Sequence, residues 1–165
     1  VQLNNWHQKR ISNLIVKKLF GTVSEKKICI LGFAFKANTN DTRESPSLNI
    51  SRCLLEEGCF LSIYDPKVSH EQIVSELGSC RQDNNINQKN FGYWEYSDNL
   101  YDAASGADAI VILTDWKEFY NLNFEEFSKI MRPPSWIFDT RDVVDIQKPK
   151  KFGFNVWKLG NGSCN

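Results

Sequence analysis

Apolar residues recur along the chain in two rhythms. Between Asn5 and Phe20, Ile11, Leu14, Ile15 and Leu19 fall at helical spacing with Lys9, Arg10, Lys17 and Lys18 between them, which predicts an amphipathic helix. Lys27 to Phe33 is instead a short, continuous apolar run around Gly32, the pattern of a parallel strand covered on both faces. After a polar loop from Ala34 to Glu44, Ser45 as N-cap and Pro46 in the first turn predict a helix running to about Glu57 and stopped by Gly58. Cys59 to Tyr64 predicts a second strand ended by Asp65-Pro66, and Val68 to Leu77 a second amphipathic helix. Gly78 to Gly92 is polar, rich in Asn and Gln, and predicts a loop. Beyond it, Tyr93–Ser97 predicts a strand, Asp98–Ser105 a helix capped by Asp98, and Ala107–Leu113 a strongly apolar strand. A helix or pair of helical turns covers Trp116–Met131, Pro133-Pro134 breaks it, and strands follow at Trp136–Asp139 and Phe154–Leu159. Strands alternating with helices from end to end predict an α/β, Rossmann-like, doubly wound fold: a mostly parallel sheet of about six strands with helices on both faces.

Composition narrows the partners. A chain of 165 residues buries roughly 70% of its unfolded surface and needs no disulfide or structural metal to hold a core. Lys and Arg total 20, Asp and Glu total 20, and the formal net charge is zero, so there is no broad basic face for a nucleic acid. No apolar run approaches the ~20 residues of a membrane span, and no signal-peptide pattern opens the chain, which predicts a cytoplasmic protein. The missing initiator Met predicts a piece of a longer polypeptide. Cys29, Cys53, Cys59, Cys80 and Cys164 form no C-x-x-C pair and are expected as reduced thiols, with Cys29 and Cys53 buried. His7 and His70 lie far apart, which disfavours a His-based metal site or a Ser/His/Asp triad.

In an open α/β sheet, ligands bind outside the carboxyl ends of the strands where strand order reverses, and three loops fall there. The first, Gly32 to Pro46, is neither a G-x-G-x-x-G loop nor a Walker A motif. It puts Lys36 and Arg43 in a loop feeding a helix N-terminus, where an anion meets fixed positive charge and free N–H groups; the same cations can instead pair with Asp41 and Glu44. The second ends in Asp65-Pro66-Lys67, where the acid is either a ribose ligand or a turn former, and the lack of a glycine fingerprint favours the turn. The third carries Asp139-Thr140-Arg141-Asp142, and Arg141 can converge with Lys36 on one anionic ligand or pair with Asp139. Phe35 can offer its ring to a base or belong to the core, whereas Trp116, Phe119, Tyr120, Phe124 and Phe127 recur at helical spacings and are expected to pack.

Gly32-Phe33-Ala34-Phe35-Lys36, followed by Thr39-x-Asp41-Thr42-Arg43-Glu44-Ser45, resembles the signature of the C-terminal, UDP-binding domain of the UDP-glucose/GDP-mannose dehydrogenase family. Ile63-Tyr64-Asp65-Pro66-Lys67-Val68, Leu113-Thr114-Asp115-Trp116 and Phe138-Asp139-x-Arg141 follow in the family's order, so the resemblance covers nearly the whole chain. Thr42 before Arg43, and the wording around Asp65, resemble the UDP-glucose branch most. The resemblance implies a parent enzyme that oxidises UDP-glucose to UDP-glucuronate with two NAD, through intermediates on a cysteine. It implies that residues 1–22 end a central inter-domain helix and residues 23–165 bind the UDP-sugar. By motif, Phe35, Lys36 and Arg141 would contact UDP-glucose or UDP-glucuronate, and Arg43 would reach the phosphates of an NAD held mainly by another domain. The parent would be a homo-oligomer. The family's Gly beside Arg141 is Thr140 here. The family's catalytic Cys, Lys and Asp and its G-x-G-x-x-G lie in an N-terminal half whose motifs this chain does not contain, so it carries no catalytic or metal residue and is expected to be inactive alone. The alternatives are the same domain from a GDP-mannose or UDP-N-acetylmannosamine dehydrogenase, and a free-standing, non-catalytic nucleotide-binding module.

Overall fold

In the computed structural model of the protein, which describes residues 2–78 and 92–160, the apolar runs become a single sheet. Its strands are β1 (Lys27–Leu31), β2 (Phe60–Tyr64), β3 (Tyr93–Tyr96), β4 (Ala109–Ile112), β5 (Trp136–Asp139) and β6 (Asn155–Lys158). They lie in the order β3-β2-β1-β4-β5-β6 with every pairing parallel. Wholly parallel pairing requires both faces to be covered, and all four residues of β4 are accordingly buried. Chain order reverses between β1 and β4, the switch point at which a doubly wound sheet opens a crevice.

The helices form two groups. The first comprises α1 (Gln2–Lys18), α2 (Pro46–Glu56) and α3 (His70–Leu77), where α2 touches both of the others; α4 (Leu100–Ala104), α5 (Phe124–Ile130) and α6 (Gln147–Lys150) form the second. Parallel strands are joined by right-handed crossovers as a rule, and with chain order reversing at β1/β4 that rule puts α2 and α3 on one face and α4 and α5 on the other, in keeping with the two contact groups. Ile15 and Leu19 anchor α1 to the core, and Phe33, Phe119, Phe127 and Phe138 are its largest fully buried side chains.

Local chemistry explains most boundaries. Ser45 caps α2 by accepting from the Ser47 N–H, Pro46 opens it, and Gly58 turns the chain out of it at φ +86°. Ser69 and Gln72 form a reciprocal capping box on α3. Asn99, and not Asp98, caps α4, because only its side chain reaches the N–H groups of both Tyr101 and Asp102. Trp116–Met131 divides into a 3-10 helix (Lys117–Asn121) and α5, separated by Asn123, which caps α5. The tight 3-10 repeat buries Phe119 and leaves Tyr120 49% exposed, so Tyr120 does not pack as its spacing predicts. The polar, proline-containing α6 has no apolar periodicity to announce it. Cys53 is half-buried on α2, less covered than expected. The predicted Gly78–Gly92 loop lies, between 79 and 91, outside the described residues. Among the described residues no helix is long and apolar enough to cross a membrane.

Candidate functional site

Strand register sets the level of the site. Tyr64, Leu31, Ile112 and Asp139 are aligned across β2, β1, β4 and β5, so the loops that follow leave the sheet from one row. The loops carrying Lys36 and Arg141 depart two strand positions apart, about 10 Å, on either side of β4.

The start of the first loop is fixed through its backbone, from Gly32 to the Phe35 N–H. Gly32 N–H donates to the Tyr64 carbonyl (2.8 Å), and its own carbonyl accepts from Ser47 Oγ (2.8 Å). Phe33 N–H donates to Asp65 Oδ2 (2.8 Å), and the Phe33 carbonyl accepts from Ser45 Oγ (2.8 Å). Ala34 N–H also donates to Asp65 Oδ2 (3.0 Å), while the Ala34 carbonyl accepts from Thr114 Oγ1 (2.8 Å). Phe35 N–H then closes the loop on the Asp41 carbonyl at 2.7 Å. Gly32 admits no side chain: its φ is +96°, and a Cβ there would lie 2.4 Å from Thr114 Cβ and 2.8 Å from the Thr114 backbone nitrogen.

From this frame Phe35 and Lys36 project outward. Phe35 is 45% exposed and is not part of the core; Lys36 is exposed and, among the described residues, makes no hydrogen bond or ion pair. Arg43 behaves differently. Its Nε and Nη2 each donate to the Asp41 carboxylate at 3.0 Å, a two-point pair that also holds the Asp41 carboxyl well below its ordinary range, at about 2. Thr39, Asn40, Asp41, Thr42, Arg43 and Gln72 line an open depression of about 490 Å³ on this side of the loop.

Arg141 leaves the end of β5. Asp139 is fully buried and accepts from the N–H groups of Arg141 (3.0 Å), Val143 (2.9 Å) and Val144 (2.8 Å), so it shapes the turn and is not the side-chain partner of Arg141. That partner is Asp115, whose Oδ1 accepts from Arg141 Nη2 at 3.3 Å. Among the described residues this one contact leaves the other donors of the guanidinium fork without a side-chain partner. Thr140 donates its hydroxyl to the Ile112 carbonyl (2.7 Å), and the left-handed residue of the turn is Asp142 (φ +61°), so the turn does not require glycine at position 140.

Asp65 resolves toward the turn. It is 2% exposed; Oδ1 accepts from Lys67 N–H (2.8 Å) and Val68 N–H (3.0 Å), and Oδ2 from two backbone amides and the Trp116 indole N–H (3.0 Å). Trp116 therefore does more than pack. The Arg43–Asp41 pair is the one that loop charge offered as the alternative for this cation, whereas Thr114, Asp115 and Trp116 are the site residues that loop charge alone did not single out, and the signal for them is their place in the recurring segments. Nearby, burial and the hydrogen bond to Glu118 push the Tyr64 phenol well above its ordinary range. Burial pushes the Cys29 thiol up to about 12 and raises Cys59 as well, which makes both poor nucleophiles. Among the described residues no cluster of His, Cys, Asp or Glu is arranged to hold a metal ion.

Residues 29–146, which span all three loops, match the family model described as the UDP binding domain of the UDP-glucose/GDP-mannose dehydrogenase family. The chain belongs to this family. A UDP-glucose 6-dehydrogenase of Caenorhabditis elegans is 39% identical over 160 residues, covering 97% of this chain and 32% of that protein. The corresponding protein of Gallus gallus is 44% identical over 164 residues, again 97% of this chain and 32% of the relative. This family member thus spans about a third of the length of the curated relatives it matches. Among solved structures, a UDP-D-ManNAc dehydrogenase from Pyrococcus horikoshii superposes with a TM-score of 0.69 at 28% identity, covering 96% of this chain and 31% of that one. A UDP-glucose dehydrogenase from Pyrobaculum islandicum shares the fold, with a TM-score of 0.65 at 21% identity over 92% of this chain and 29% of that one.

Proposed function

We propose that this chain is the substrate-binding domain of a UDP-glucose 6-dehydrogenase, in which Phe35, Lys36 and Arg141 hold the UDP-sugar and Arg43 serves the NAD side. The observation that carries this is the pair of cationic loops on either side of β4 at the switch point, with Lys36 unpaired among the described residues and Arg141 anchored through one donor. A diphosphate placed between them meets charge from two sides, and each charge-assisted hydrogen bond contributes roughly 1.5–3 kcal/mol. The exposed ring of Phe35 beside Lys36 suits the face of a base or sugar. The 35–44% identity to UDP-glucose 6-dehydrogenases favours UDP-glucose and its product UDP-glucuronate over other nucleotide sugars. Residues 1–22 would end an inter-domain helix and residues 23–165 form the binding domain of a homo-oligomeric parent.

Arg43 fits a phosphate of NAD: it is 85% exposed and stands at the rim of the depression that includes Gln72. NAD, when bound, accepts the hydride. This chain's part is to bind and orient the substrate, and at the NAD phosphates to supply one cation. A cytoplasmic setting suits Cys29, Cys53 and Cys59, which are free thiols. Competitive calorimetry on the chain with UDP, GDP and UDP-glucose tests the assignment. UDP and UDP-glucose should compete for one site, and preference for GDP would overturn it.

A further inference from the structure

We infer that Asp65 is the positioning residue of the substrate loop: with Thr114 it presets the Ala34 peptide from which Phe35 and Lys36 project. This rests on the assignment of Lys36 to the UDP-sugar. In a dinucleotide-binding sheet an acid at this strand end holds a ribose, but Asp65 is 2% exposed and both of its oxygens are engaged within the protein. The two bonds to Oδ1 make an ordinary turn after Pro66. Those to Oδ2 go beyond a turn, because they bring the Phe33 and Ala34 amides and the Trp116 indole from two other loops onto one atom. Thr114 takes the opposite end of the Ala34 residue through its carbonyl. Among the described residues nothing holds the Lys36 side chain, so the point from which it reaches depends on the backbone that Asp65 and Thr114 fix. A backbone set before binding avoids the cost of ordering the loop and leaves only the rotors of the Lys36 side chain to be ordered.

Thr114→Val removes one donor with little change of shape and Trp116→Phe removes one while leaving a cavity where the indole packed, whereas Asp65→Asn strands buried amides and can fail to fold. Backbone ¹⁵N relaxation on the ligand-free chain should show Phe35 and Lys36 as rigid as the strands, and mobile in both variants while β3 and β6 stay unchanged. Continued rigidity in the variants would overturn the proposal whatever the ligand does. In calorimetry each variant should weaken UDP binding about fivefold, and the same change in a Lys36→Ala background should cost less than about twofold, since the effect acts through Lys36. An equal loss in both backgrounds marks a merely structural role and sinks the idea. A wild-type chain that binds no UDP refutes the functional assignment instead, and the relaxation result then decides the positioning of the loop on its own.

Discussion

Two arginines of the strand-end loops meet carboxylates in different ways, and the difference sets what each can do. Arg141 gives a single Nη2 donor to Asp115, whereas Arg43 closes two donors on Asp41. Both pairs are partly or largely exposed, so they contribute little to stability, and removing the cations leaves the fold intact. Lys36→Ala and Arg141→Ala should therefore each weaken UDP binding roughly tenfold to hundredfold in calorimetry, with the thermal midpoint moving by no more than about 2 °C. The Asp41–Arg43 pair has its own signature. Because Arg43 lowers the Asp41 pKa from its ordinary 3.8 to about 2, the pair's contribution is fully present above pH 3.8 and is lost as pH falls through about 2. Carboxyl NMR should show Asp41 titrating near that lower value, and Arg43→Ala should return it toward 3.8. Lys36, Arg43 and Arg141 were legible as candidates because charge and loop position are visible in a linear sequence. Asp115 was not, since its contact with Arg141 depends on β4 lying beside β5, a neighbour relation that only the folded sheet supplies.

At the scale of elements, most boundaries follow from residues with a local physical meaning, and those were legible. Ser45-Pro46 starts α2, Pro66 bars continuation of β2, and Pro133-Pro134 separates α5 from β5. The misses have local causes as well. Asp98 and Asn99 both have capping chemistry, and one residue of chain geometry decides between them; α6 is four residues long with Pro149 inside it and gives no periodic signal. Gly32 joins an element to the site, since it ends β1, turns at positive φ, and brings the chain against Thr114. Gly32→Ala adds both a disfavoured backbone conformation and a steric overlap with backbone atoms. It should cost about 3 kcal/mol or more in urea unfolding and weaken UDP binding with it. Ser45→Ala removes the α2 cap together with the bond to the Phe33 carbonyl, and a smaller loss of about 1–2 kcal/mol is expected.

For the whole molecule, the alternation of strands and helices disclosed a doubly wound class, but not the order β3-β2-β1-β4-β5-β6 that places the loops of β1 and β5 on either side of β4. That order lets a chain of zero net charge present two cations at one sheet edge: Lys36 and Arg141, distant in sequence, lie in loops that leave the sheet on either side of β4, while the rest of the surface balances them. The same topology bears on catalysis. Cys29 lies within β1 and Cys59 precedes β2, both buried with raised pKa values, and Cys53 sits on α2; none of these three stands at the carboxyl edge with Lys36 and Arg141. A thiol that must be ionised to attack is disfavoured in such burial. The 165-residue chain should consequently bind UDP-glucose yet yield no NADH above background when mixed with it and NAD⁺ in a single-turnover absorbance measurement. Cys29 and Cys59 should at the same time resist alkylation in the native state, as mass spectrometry of labelled peptides would show. Metal-independent NADH formation by the chain alone would move the chemistry into this domain and contradict the proposed division of labour: orientation of the nucleotide sugar here, hydride removal elsewhere in the parent enzyme.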